Sequence, residues 1–275
     1  MFLRGLLVAA SGFLFIFSPG LPMRLLTRHS PLFHRDMVYW GIGVWLIALL
    51  PSLFLQSLLR QILQKGALSG PPSGYALTAI GALLTALFVA GAMYLVLRFK
   101  GRDDSPGHLP GNGMALGFGV GLIAQVFTGL SLAGAGFRLM FGDTSTETLV
   151  GLTQIGFVEL ILALLSLILF RPALLAVSAV RGVLVARSFK ERPAFFGLAV
   201  VVDAAFVWSI VAFQIAFGDE TAGQVLAGNA NTVTSTVTVV YYILAFALAY
   251  RWLMAQIAGW ESARTRGKGN RDAGT

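Results

Sequence analysis

Cysteine is absent from this chain of 275 residues. That removes disulfides, thiolate catalysis and cysteine metal sites, and leaves no redox compartment to read. Charge is also scarce: 12% of residues are Asp, Glu, Lys or Arg, about half the ~25% of a soluble domain. Histidine is limited to His29, His34 and His108, all between apolar runs. No ATP-binding motif occurs, and no internal repeat supports an inverted-repeat transporter. The alternating strands of about ten residues that mark an outer-membrane barrel are missing too.

Long apolar runs take their place. Residues are 56% hydrophobic, with runs at 5–23, 37–59, 75–97, 113–137, 150–170, 173–187, 194–217 and 235–256. Several reach the roughly 20 residues that cross a bilayer as a helix. The fold class is therefore all-α, a polytopic transmembrane helical bundle. Residues 1–260 form its one domain, and residues 261–275 are expected to be a basic, mobile cytoplasmic tail. The first run follows Arg4 like a signal peptide, but no small-x-small cleavage pattern follows Phe17 and apolar character resumes at Leu21. It reads as a transmembrane helix that bends or ends at Pro19-Gly20-Leu21-Pro22.

The span count turns on whether residues 150–187 cross once or twice. One crossing, with a bent extension after Arg171-Pro172, gives seven spans. Arg24, Arg28, Arg35, Arg98, Lys100, Arg102, Arg187, Lys190, Arg192, Arg264, Arg266, Lys268 and Arg271 then share one side, and only Arg4, Arg60, Lys65 and Arg138 the other. Basic residues gather on the cytoplasmic side of membrane proteins, so this is an N-terminus-out, C-terminus-in arrangement. Eight spans would move the first six of those residues outside. Tyr39, Trp40, Tyr250 and Trp252 fall at the inner boundary and Tyr75 at the outer one, where aromatic anchors belong. The net charge of +8 marks contact with the lipid bilayer and with anionic lipid headgroups through the basic loops and tail. Nucleic acid is not expected as a partner, because no soluble domain exists to hold it. A prokaryotic plasma membrane is the expected location.

Charged residues inside apolar runs are costly and direct attention to function. Here they are Glu159, Arg171, Arg181 and Asp203, with Gln125 and Gln154 as neutral additions. Asp203 lies deepest in its run, and Arg171 or Arg181 is its natural partner. A structural pair or a protonated, hydrogen-bonded carboxyl is the plainer role; a proton or substrate relay is the sharper one. Glu159 is expected to face a water-filled outer end. Gly113, Gly117 and Gly121 stand four residues apart on one helix face, a pattern of close helix packing or of a groove lining, and Gln125 and Gly129 continue it. Thr232, Thr234, Ser235, Thr236 and Thr238 open the last run with hydroxyls for capping or for a polar lining. The loop histidines, with Asp36, Asp103 and Asp104, read as solvated side chains; no metal or cofactor site is expected.

Over roughly residues 1–217 the order of these pieces resembles the YhfC family of intramembrane metallopeptidases, distant relatives of the CAAX prenyl proteases. Where that family has GLFEETGRY, Ala86 to Tyr94 read ALFVAGAMY, with Val89 and Ala90 for the glutamates and Met93 for the arginine. Its G-x-G-H-G-x-x-E matches Gly117 to Ala124, with Val120 for the histidine and Ala124 for the glutamate. Its LAILLHALVD resembles Leu198 to Val207, LAVVVDAAFV, with Asp203 at the histidine, or at the aspartate in a shifted alignment. A further histidine, expected near Arg171-Pro172, is missing.

The resemblance implies the bundle of a zinc peptidase without its chemistry, since such a site needs about three protein ligands and a general base. The expected function is a non-catalytic relative acting as a scaffold or binding subunit, with another membrane protein as a partner. The alternatives are a transporter or permease component using Asp203 and the basic residues, and a hydrolase built on Asp203 and Glu159.

Overall fold

The computed structural model describes residues 1–17, 34–65, 71–100, 109–143, 156–189, 191–217 and 232–272. These form α1 (Phe2–Phe17), α2 (Arg35–Lys65), α3 (Pro71–Lys100), α4 (Leu109–Met140), α5 (Phe157–Ser188), α6 (Ala194–Phe217) and α7 (Thr232–Asp272). No strand occurs among the described residues. Among the described residues, five segments are long and apolar enough to cross a membrane: Asp36–Leu58, Ala76–Lys100, Leu109–Met140, Leu160–Ser188 and Thr236–Trp260. Phe2–Leu14 and Ala194–Ser209 are shorter apolar stretches. Helix is the form such chains must take, because lipid offers no partner for a free backbone N–H or C=O.

The outer surface bears this out. Ile47, Leu50, Phe99 and Leu248 are largely exposed, an apolar covering that soluble monomers avoid. The interior holds one main cluster drawn from α2 to α7, and a smaller one of Val8, Leu132, Leu160 and Leu164 where α1 meets α4 and α5.

Helix α4 is the centre. It packs along α1, α2 and α5, and every residue from Gly111 to Gly121 is buried. Three neighbours fit around one helix because glycine supplies a flat face to each. A methyl on Gly113 or Gly117 would strike the carbonyl oxygens of Gly182 and Ser178 on α5. On another side Gly119 meets α2 at Val38 and Gly41, and Gly41 in turn meets the Leu116 carbonyl. Further along, Gly136 lies on Ala9 of α1, while Gly12 of α1 lies on Ala133 and the Gly129 carbonyl.

Gly129 was expected to extend the stripe of Gly113, Gly117 and Gly121, yet it faces α1 rather than α5. Helical geometry explains the change: each four-residue step advances about 40° around the axis, so four steps turn the face by about 160°. The stripe that begins against α5 thus ends against α1. Helix α4 then closes at Gly142, whose positive φ of 77° lets the Asp143 N–H reach the Arg138 carbonyl at 2.9 Å, a glycine C-terminal closure.

Residues 157–188 form a single helix running through Pro172, with no reversal after Arg171. The polar tail beyond Trp260 continues α7 as helix to Asp272. Glu, Ala and Arg are good helix formers, and extending an existing helix carries no nucleation cost.

Gly117→Ala is expected to destabilise the detergent-solubilised protein by about 1–3 kcal/mol, the usual cost of overpacking. Gly43 and Gly91 face open space, so Gly43→Ala and Gly91→Ala should stay within about 0.5 kcal/mol of the parent. Thermal unfolding followed by circular dichroism separates the two cases.

Candidate functional site

The charged residues of the interior sort onto α5 and α6. Arg181 and Asp203 face each other across the α5–α6 contact, and Arg181 Nη1 donates to Asp203 Oδ2. Their side chains are only 4% and 6% exposed, so both charges lie away from water. Neither would be stable there alone, because moving an ion into a low-dielectric interior costs several kcal/mol even after relaxation. Paired, they are neutral overall. Arg181 Nε and Nη2 have no hydrogen-bond partner among the described residues.

Arg171, the other candidate partner of Asp203, does something different. It stands ten residues earlier on α5, about 15 Å along the axis, and its Nη1 donates to the Leu14 carbonyl of α1 at 2.5 Å. Leu14 lies in the last turn of α1, where carbonyls lack an intrahelical donor and the helix dipole presents negative charge. An arginine there supplies both the donor and the positive charge. Gln125 of α4 completes this layer, its Nε2 donating to the Arg171 carbonyl at 2.9 Å. A deep contact between α1, α4 and α5 is therefore polar, and it is separate from the Arg181–Asp203 pair.

Gly113, Gly117 and Gly121 lie against α5 as contact surface. Gly121 is held at 3.2 Å from the Leu175 and Ser178 side chains, measured from where a Cβ would stand. Val89, Ala90, Met93 and Val120 are buried side chains of the main core, and Ala124 is half-buried on α4. Thr238 is buried and Thr236 exposed, and both are engaged with neighbours. The Ser209 and Tyr241 hydroxyls, 2.5 Å apart, link α6 to α7.

Glu159 lies in the first turn of α5, but its side chain falls outside the described residues, as do Gln154, His29, His108, Asp103, Asp104 and the side chains of Thr232, Thr234 and Ser235. His34 and Asp36 are exposed at the start of α2. Among the described residues no three His, Asp or Glu side chains gather in one place.

Sequence reasoning left Asp203 with two possible partners and did not foresee the Arg171–Leu14 contact. Its only sequence signal was an arginine beside a proline, opposite a helix expected to end near Pro19. The partner lies 157 positions away, too remote for any local pattern to encode.

Arg181→Ala and Asp203→Ala should each destabilise the protein by about 3–5 kcal/mol by stranding the other charge. The double variant Arg181→Met/Asp203→Leu should recover most of that loss, since apolar residues of similar volume replace buried ion pairs well. Unfolding midpoints of the three variants in one detergent provide the measurement. Comparison with protein-family models, with characterised proteins and with solved structures finds no match to this chain.

Proposed function

We propose that this protein is a seven-span integral membrane protein of a prokaryotic plasma membrane, N-terminus out and C-terminus in, acting as a non-catalytic scaffold or binding subunit. In this reading it descends from the fold of the intramembrane metallopeptidases. Five long apolar helices and two shorter apolar stretches supply the spans. The single helix at 157–188 favours one crossing there over two.

The observation that carries the non-catalytic reading is how the motif positions are filled. Val89, Ala90 and Val120, aligned with a glutamate pair and a histidine, are packed members of one apolar core. The one acidic residue at such a position, Asp203, is engaged by Arg181. A carboxylate held by a buried guanidinium is committed to that pair, because losing either partner strands the other charge. A role in holding partners needs none of these groups to react.

Two measurements test the proposal. Protein purified without chelators should carry far less than one zinc per chain and should show no metal-dependent cleavage of membrane-spanning peptides. Stoichiometric zinc would overturn the non-catalytic reading, since a catalytic site binds its metal through about three protein ligands. The absence of cysteine makes topology directly readable. A membrane-impermeant maleimide should label Ser69→Cys in intact cells and Ser105→Cys only after permeabilisation; the reverse order would overturn the orientation.

A further inference from the structure

Helices α5, α6 and α7 enclose a groove of about 680 Å³ that opens on the outer surface of the bundle. Its walls are apolar, with Val180, Leu184, Val202, Ala205, Leu244 and Leu248 among them. The two ends differ in chemistry. At one, the Phe206 and Tyr241 rings stack with centroids 6.0 Å apart. At the other, the Arg187 guanidinium lies 5.1 Å over the Phe195 ring, and Trp252 lines the wall. The trough is thus greasy along its length and cationic at one mouth.

Arg187 remains able to take an anion. Its Nε is engaged by the Glu191 carboxylate at 2.7 Å, and its two terminal nitrogens have no hydrogen-bond partner among the described residues. Arg192 and Arg251, both exposed, flank Phe195 and Trp252 in sequence and bring further positive charge to the same end. Glu191 offsets only one of the three. A guanidinium fork with free terminal donors suits a phosphate, which it can grip through two oxygens.

The chemistry along the groove selects the rest of the occupant. From Tyr241 to Trp252 it runs about 16 Å at 1.5 Å per residue, and between its ends the lining is aliphatic, from Val177 and Val180 to Leu248 and Ala249. An apolar trough of that length with a cation at one mouth complements an acyl chain joined to an anionic headgroup.

The geometry points to a binding site for one anionic phospholipid, an acyl chain lying between α5, α6 and α7 and the headgroup phosphate on Arg187. The site is distinct from diffuse attraction of headgroups to loops and tail. It rests on the membrane-embedded part of the function proposed above and is independent of whether catalysis was lost.

Trp252 makes the site observable. The protein is reconstituted in phosphatidylcholine vesicles containing brominated-chain phosphatidylglycerol or, in parallel, brominated-chain phosphatidylcholine. The Trp252 emission is isolated by subtracting a Trp252→Phe variant. The anionic lipid is expected to reach half-maximal quenching at about fivefold lower mole fraction, the preference one basic side chain confers at a membrane surface. Arg187→Gln should bring the two curves together. Ala205→Phe, which fills an exposed part of the wall and leaves every charge in place, should do the same.

Equal curves for the parent protein would overturn the proposal, and so would a preference that survives either substitution. Shielding of Trp252 from both lipids alike would place another protein segment in the groove and overturn it as well. A metal-free protein with equal curves would sink the groove alone, while stoichiometric zinc with a clear preference would sink only the non-catalytic reading.

Discussion

Close backbone approach around α4 is the constraint on which the rest of this bundle depends. In lipid, helices gain nothing by hiding apolar side chains from one another, since the acyl chains are equally apolar. Association instead comes from van der Waals contact and from hydrogen bonds across the seam. Contact of that kind grows as axes come together, and axes come together where side chains are missing. Gly113, Gly117 and Gly182 do this for α5, Gly119 and Gly41 for α2, and Gly12 and Gly136 for α1. Glycine is a weak helix former in water, but a backbone without water has no better alternative to the helix. The same residue can then crowd three faces of one helix without melting it.

The interior charges are placed to serve this packing. Arg171 ties the end of α1 to α5, and Gln125 ties α4 to the same turn. Arg181 and Asp203 join α5 to α6. Each of these groups is directed at another helix of the bundle, so the described interior is a network of braces. Chemistry directed outward is found at the edge instead, in the groove where α6 and α7 touch only sparsely.

Much of this architecture is legible in the sequence, because length and hydropathy alone fix helices in lipid. The apolar runs correspond to α1 to α7, and the described part of the doubtful stretch, residues 157–188, is one helix through Pro172. The glycine stripe at Gly113, Gly117 and Gly121 was readable as a packing surface, because four-residue spacing is local. Its partner Gly182, and the turn of the stripe toward α1 by Gly129, were not, since they depend on which neighbour stands at each angle. The choice of Arg181 over Arg171 for Asp203 was hidden for the same reason: both lie on one helix, and only the register of α6 against α5 decides between them. A groove between three helices leaves no motif, being a shape rather than a pattern of residues.

Helix α1 shows what this arrangement means for assembly. Its seam partners, Gly129, Ala133 and Gly136, and its brace, Arg171, lie more than a hundred residues downstream. At a synthesis rate of about 5–20 residues per second, roughly ten seconds separate the emergence of α1 from that of its partners. During that interval the glycine face and the last carbonyls of the first helix lack the partners that later cover them. Contacts between remote parts of a chain form late because their loops must close first. The element made first is therefore the one whose docking must wait for the middle of the chain.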